Sequence, residues 1–280
     1  MNISSRIEQL PVEQQPVEIL RWANATFKPT ASGPSWVQFT SFGPQGLVIT
    51  DMLRELGLLE HTRIVSVDTH YLFPETYALI EDATKYFGLE EKLRIYRSKE
   101  GSRAMFEKAF GEKLWKVDLK LFEFLTKVEP TRRALEDLGV KAWITGRRKS
   151  QGGVRKDIPL VEVDGSDGRV KINPLANWDM ERVWSYIKGR GLPYNSLHDD
   201  GFLSIGDIFT TERTGKGESE REGRWKQFKG KTECGMHLAK DSGSFRDLER
   251  RSDRVRKGYL WDFDASKRAL DLGIALVSCA

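Results

Sequence analysis

Cysteine is scarce in this sequence: 280 residues contain only Cys234 and Cys279. Two thiols cannot supply a tetrathiolate zinc site or a four-cysteine iron–sulfur site within one chain. They make no disulfide framework either, so a reducing, cytoplasmic setting is expected. No apolar run approaches the ~20 residues that a membrane-spanning helix needs. Residues 1–16 place no apolar stretch behind a basic patch, and a secretory signal is not expected. An excess of one charge is missing too. The 45 Lys and Arg against 41 Asp and Glu leave +4, too little to imply nucleic acid as a partner. What is present is core material. Hydrophobic residues make up 39%, and 14 Phe, 8 Trp and 7 Tyr argue against disorder.

The order of elements points to an α/β fold. The first thirty residues read as a helical lead-in with Val17, Leu20 and Trp22 apolar. SWVQFT is a buried strand. Val48, Met52 and Leu56 then share one helix face that Gly57 closes. RIVSVD is a second strand, followed by a helix with Thr76, Leu79, Ile80, Ala83 and Phe87 on one side. LRIY is a third strand candidate, EPTRRALEDLG a short helix, and KAWIT a fourth strand. Asn177 can cap a helix carrying Met180, Val183, Trp184 and Ile187. Alternating strands and helices predict a mostly parallel sheet with helices on both faces. After about residue 206 the chain turns charged and glycine-rich, which reads as a mobile flap rather than a packed layer.

Ligands of such sheets bind beyond the carboxyl ends of the strands, and three stretches lie there. Ser41-Phe42-Gly43-Pro44-Gln45 is a turn opening a helix, able to present N–H groups and a positive dipole end to an anion. By itself it is better read as a plain tight turn. Asp68-Thr69-His70 could hydrogen-bond a ribose or base, or form an Asx-type turn. Gly146-Arg147-Arg148-Lys149 through Arg155 gathers four cations, either a phosphate site or a solvated charge run. Farther on, Lys231-Thr232-Glu233-Cys234-Gly235-Met236-His237 surrounds a thiol with groups that favour thiolate, in contrast to a buried structural cysteine.

Taken together, SFGPQ, VDTHYLFPETY, KVEPTRRAL, ITGRRKSQGG, the NWD…YI…GLPYN stretch, LHDDGFLSIGD, EREGRW and KTECGMH resemble the 3′-phosphoadenylylsulfate (PAPS) reductase family, thiol-dependent relatives of the ATP pyrophosphatases. The likeness runs from about Trp36 to His237. It departs from the family pattern at His70, where a glycine is expected and a side chain would narrow the nucleotide pocket, and at Met236, usually aliphatic. It also departs in the extension past His237, for which the family offers no counterpart.

The resemblance implies three segments: a helical lead-in over 1–30, a nucleotide-binding α/β domain over 31–205, and a flap and mobile tail over 206–280. Ser41, Phe42, Gly43 and Gln45 would hold the nucleotide, with Asp68 and Thr69 on the adenosine. Gly146 belongs to the second loop of the site, and Lys127, Arg133, Arg147, Arg148, Arg155, Arg221 and Arg224 would surround the phosphosulfate or the 3′-phosphate. Cys234 would attack the sulfuryl sulfur to give S-sulfocysteine, His237 would tune the thiol, and Glu233 could orient the tail. Thioredoxin or glutaredoxin would then release sulfite, with no bound cofactor, metal or iron–sulfur cluster. A homodimer is implied, without nucleic acid or membrane partners. Adenylylsulfate (APS) reductases that use a cluster carry a cysteine pair where this chain has Val128-Glu129. Cluster-free use of APS stays open, as does a non-catalytic nucleotide-binding role. An adenylyltransferase or ATP pyrophosphatase is disfavoured because the first loop lacks Asp-Ser.

Overall fold

The computed structural model describes residues 3–29, 33–165, 167–215, 217–228, 231, 233, 235–237 and 242–257. Two short helices lead in, α1 (Ile3–Ile7) and α2 (Gln15–Thr26). Then come β1 (Trp36–Phe39), α3 (Pro44–Glu55), β2 (Arg63–Val67), α4 (Pro74–Phe87) and β3 (Leu93–Tyr96). A helical stretch follows: α5 (Arg103–Phe110), α6 (Leu114–Val117), α7 (Leu119–Glu123), a π-helical turn (Phe124–Val128) and α8 (Glu129–Asp137). The chain continues through β4 (Ala142–Ile144), β5 (Val161–Val163), β6 (Val170–Ile172), α9 (Met180–Arg190) and α10 (Ser242–Arg256).

The six strands form one sheet in the order β3-β2-β1-β4-β6-β5, parallel except for β5 against β6. The buried strands alternate side chains between two cores, as the two-residue period of a strand demands. Trp36, Ile64, Ala142 and Ile144 pack with α2, α3, α4 and α9, whereas Val37, Phe39, Val65 and Trp143 pack with Ala134 and Leu135 of α8. Helices thus cover both faces, and the central strand β1 is buried at every residue, Gln38 included. A third core, rich in aromatics, holds Tyr71, Phe106, Phe110 and Phe122, with Trp115 stacked on Phe209 at 4.0 Å.

The helix face predicted for α4 is the face that is buried, from Thr76 to Phe87. At α9 the cap is Asp179, whose side chain accepts from the Arg182 N–H. Asn177 is spent elsewhere, donating to Gln15 of α2, so the expected cap lies two residues early. The antiparallel β5–β6 pair and the helices between 103 and 128 had no clear periodic signal. The run after residue 206 packs more than its composition suggests. Asp207 bridges to Leu72, Thr211 to Arg224, and Trp225 is buried. Part of the extension past His237 is α10, which lays Leu248 into the aromatic core and pairs Arg251 with Asp118.

Candidate active site

Between β1 and β4 the strand order reverses direction, and the loops that leave these two strands meet beyond their carboxyl ends. A crevice opens there. It forms a cavity of about 240 Å³ bounded by the turn after β1, the loop after β4, the π-helical turn and the segment 203–225. Buried Gln38 of β1 fixes the geometry: its side chain donates to the Gly46 carbonyl at 2.8 Å and accepts from Thr50 at 3.1 Å. That ties the first turn of α3 to the central strand, so the unpaired N–H groups of the helix start face the crevice. Gly146 passes so close to this turn that a Cβ there would stand 2.9 Å from Gln45 Cβ. A glycine is required where the two loops cross.

Of the residues expected in the site, Ser41, Phe42, Gly43 and Gln45 of the first loop line the cavity, with Thr69. Gly146, Arg147, Arg155, Lys127, Arg221 and Arg224 line it too. The lining carries five basic side chains against the acids Asp207 and Glu220, a field that attracts an anion.

Asp68, Arg133 and Arg148 do not line the cavity. Asp68 accepts from the His70 N–H at 2.8 Å, which is the Asx-type turn, and from Tyr77 and Arg97, each at 2.8 Å. Burial by itself would raise the Asp68 carboxyl, but Arg97 and these hydrogen bonds outweigh it and hold it below the usual range. Arg133 grips Glu129 at 2.9 Å and the Arg97 carbonyl. Arg148, with no exposed surface, pairs with Glu220 and reaches the Trp178 carbonyl. His70 does not narrow the cavity: its ring meets Ser98 at 3.0 Å and it is absent from the lining. Its φ of 69° is the left-handed value that a glycine accepts without strain.

The cations after β4 are answered by protein carboxylates. Arg147 pairs with Glu162, Arg148 with Glu220, Lys149 with Glu8, and Arg155 with Glu233. Burial, and then the charge of Arg155, pull the Arg147 guanidinium down to about 10, so it stays protonated at neutral pH. Lys127, placed on the π-helical turn, meets Asp207 at 2.5 Å, and Asp207 also accepts from Thr69. Arg224 lies over the Trp225 ring at 4.5 Å and donates to the Ile205 carbonyl at 3.0 Å, while Arg221 is 5.3 Å from the same ring.

Sequence reasoning passed over several of these groups. Asp207 and Glu220 carry no local signal, because their partners lie 80 and 72 residues away. Asn195 and His198 also line the cavity. Asn195 donates to Thr76 at 3.0 Å, and His198 Nδ1 donates to the Phe202 carbonyl at 2.6 Å. Both stood in recognised stretches, yet no role was assigned to either. Burial holds the His198 ring below its ordinary pKa. Cys234 lies outside the described residues. His237 ends a 3-10 turn, Gly235–His237, and Met236 of that turn lines the cavity.

Comparison with known proteins follows the same lines. A family profile described as "Phosphoadenosine phosphosulfate reductase domain" matches residues 35–213. The phosphoadenosine phosphosulfate reductase of Saccharomyces cerevisiae is 40% identical over 243 residues, 85% of this chain and 90% of that protein. The adenosine 5'-phosphosulfate reductase of Salinibacter ruber is also 40% identical, over 80% of this chain and 84% of that one. Among solved structures, PAPS reductase from Candida auris in a phosphate complex aligns with a TM-score of 0.64 at 41% identity. It covers 75% of this chain and 96% of that chain. An FMN adenylyltransferase of Candida glabrata aligns over 89% of both chains with a TM-score of 0.54 at 16% identity, a likeness of fold alone.

Proposed function

Because the chain belongs to the phosphoadenosine phosphosulfate reductase family, and is an oxidoreductase of it, we propose that it reduces PAPS to sulfite through a covalent intermediate on Cys234. The observation that carries this reading is the basic cavity at the β1/β4 switch point, with Met236, two residues past position 234, in its lining and Glu233 paired to the lining residues Arg155 and Arg221. The helix start of α3 receives an anionic end of the nucleotide through backbone N–H groups. Arg221, Arg224 and Lys127 answer the remaining negative charge.

The Cys234 thiolate attacks the sulfuryl sulfur, and the sulfur–oxygen bond to the phosphate breaks. The electron pair leaves on the phosphate oxygen of adenosine 3′,5′-bisphosphate. Cations around the leaving oxygen offset the repulsion between thiolate and sulfonate. A dithiol protein, thioredoxin or glutaredoxin, then attacks Cys234 Sγ. Sulfite departs with the electron pair of the sulfur–sulfur bond, and the second thiol of the donor resolves the mixed disulfide. The donor dithiol is oxidised as sulfur gains two electrons. His237, three positions after Cys234 in the sequence, tunes the thiol, and the cycle needs no bound cofactor. A cytoplasmic homodimer completes the reading.

The test is mass spectrometry of the protein mixed with PAPS and no dithiol donor. A sulfonate adduct on Cys234 is expected, and Cys234→Ser abolishes sulfite release while still binding nucleotide. An adduct on Cys279, or activity in the serine variant, overturns the assignment. The Salinibacter ruber relative keeps a second substrate in view, APS. Side-by-side sulfite assays decide it: a preference for PAPS is expected, and equal or better use of APS replaces the first reading.

A further inference from the structure

Arg155 was expected to touch substrate, yet the structure gives its guanidinium to the protein. Its Nε and Nη2 donate to the two carboxylate oxygens of Glu233, the second at 2.8 Å, and Nη1 donates to Gln151 at 2.6 Å. Every guanidinium nitrogen of this buried arginine therefore has a protein acceptor, and the fork-on-fork geometry with Glu233 is the most directional that an ion pair can adopt. Arg221 adds a longer contact to the same carboxylate at 3.5 Å.

The neighbours of Glu233 are fastened on the other wall. Two residues earlier, Lys231 reaches buried Glu123 at 2.5 Å. Two residues later, Gly235 lies against the π-helical turn so closely that a Cβ would stand 2.9 Å from Val128 Cγ2. Alternate residues 231, 233 and 235 are thus held by α7, by the loop after β4 and by the π-helical turn. A pair of charges buried this deeply recovers little net stability, because desolvation consumes most of the attraction. Its value lies in fixing position.

We propose that the Arg155–Glu233 pair is a latch that seats the chain around Cys234, making Arg155 a positioning residue for sulfur transfer rather than a nucleotide contact. The proposal rests on the reading of Cys234 as nucleophile. It predicts that Arg155 and Glu233 act as one unit and that neither governs nucleotide affinity. Substrate contact by Arg155 predicts the opposite: removing Arg155 weakens the nucleotide, and removing the competing carboxylate strengthens it.

The experiment compares Arg155→Gln, Glu233→Gln and the double variant, with Arg155→Lys as a charge-preserving variant should Arg155→Gln fold poorly. Calorimetry measures the affinity for adenosine 3′,5′-bisphosphate, and single-turnover mass spectrometry measures the rate of Cys234 sulfonation by PAPS. The latch predicts sulfonation slowed by at least about tenfold in each single variant, no further loss in the double, and nucleotide affinity held within about threefold, the pattern of a coupled pair. In Arg155→Lys the same split is expected, since a lysine cannot reproduce the two-toothed contact. An affinity loss of about tenfold or more in the Arg155 variants, or tighter binding in Glu233→Gln, overturns the proposal. A third measurement separates it from the underlying assignment. Peptide-resolved alkylation of Cys234 by iodoacetamide, without nucleotide, is expected to speed up in Glu233→Gln as the seat is lost, and an unchanged rate overturns the latch. If wild-type Cys234 accepts no sulfonate, the proposed function fails while the alkylation and affinity results still decide the latch.

Discussion

Two loops meet at the switch point and use opposite means to face an anion. The turn after β1 does so with backbone, its helix start pinned by Gln38 and its side crossed by Gly146. The loop after β4 is dense in cations, and each of Arg147, Arg148, Lys149 and Arg155 already holds a carboxylate. The difference teaches how to read a basic run. Backbone N–H groups carry no net charge, and at an open helix start water satisfies them until a ligand arrives. A buried guanidinium does need one, because an uncompensated charge in a poorly polarisable interior is costly. A cluster of arginines at a sheet edge is therefore as much a set of internal ion pairs as an anion site.

The comparison breaks most visibly at Arg148. Arg148→Ala leaves Glu220 largely buried without its cation, and chemical denaturation is expected to show a loss of about 3–5 kcal/mol. Lys149→Ala, beside it but half exposed, is expected to change stability by less than about 1 kcal/mol, as surface pairs do. If both variants unfold at the same denaturant concentration as wild type, the loop after β4 is not held by its ion pairs.

The cations of the 206–228 run form the next test. Arg221→Ala and Arg224→Ala are each expected to lower kcat/KM by about ten- to a hundredfold, the scale of a charge-assisted contact of about 1.5–3 kcal/mol. Measured with PAPS and APS at one ionic strength, a variant that weakens PAPS alone marks the partner of the 3′-phosphate. One that weakens both marks the phosphosulfate. Should neither variant affect either donor, the anion site lies with the loop after β4 after all.

Gly146→Ala probes the backbone loop. The added methyl meets Gln45 Cβ at 2.9 Å, which forces the two loops apart at a cost of about 1–3 kcal/mol. Nucleotide affinity is expected to fall with stability, and a wild-type dissociation constant in this variant would mean that the turn after β1 does not hold the nucleotide.

The smallest effect concerns pH. His198 is half-buried, and desolvation of its ring depresses its folded pKa below 6.5. The unfolded chain then binds the proton more readily, so the stability His198 contributes is present above pH 6.5 and is lost as pH falls below it toward the folded pKa. Thermal melts across that window are expected to decline less steeply in His198→Gln than in wild type. Parallel slopes would assign the decline to another group, with His70, also depressed by burial, the next to test.

Local pattern carried a good deal. Thr76, Leu79, Ile80, Ala83 and Phe87 are buried together because a 3.6-residue period leaves a helix no other face to hide. The strand WVQF is buried at every residue because a central parallel strand is covered on both sides. The loops at the crevice were legible for the same reason, since each follows directly from a strand end. At Asp68 the Asx-type turn is the reading the structure shows, because a carboxylate two residues before a turn N–H serves the backbone as readily as a ligand.

Amino-acid order alone therefore determined the elements and the edge of the sheet where chemistry gathers, since periodicity and turn residues act over a few positions. It could not assign partners. Glu220 to Arg148 and Glu233 to Arg155 span 72 and 78 residues. Asp179 rather than Asn177 caps α9 because Asn177 is drawn to Gln15, 162 residues away. α10 rests against an aromatic core built largely from residues 106–128, far from it in sequence. Charge and hydrogen-bonding capacity are written residue by residue, but which cation meets which carboxylate depends on distances that exist only after the sheet has formed.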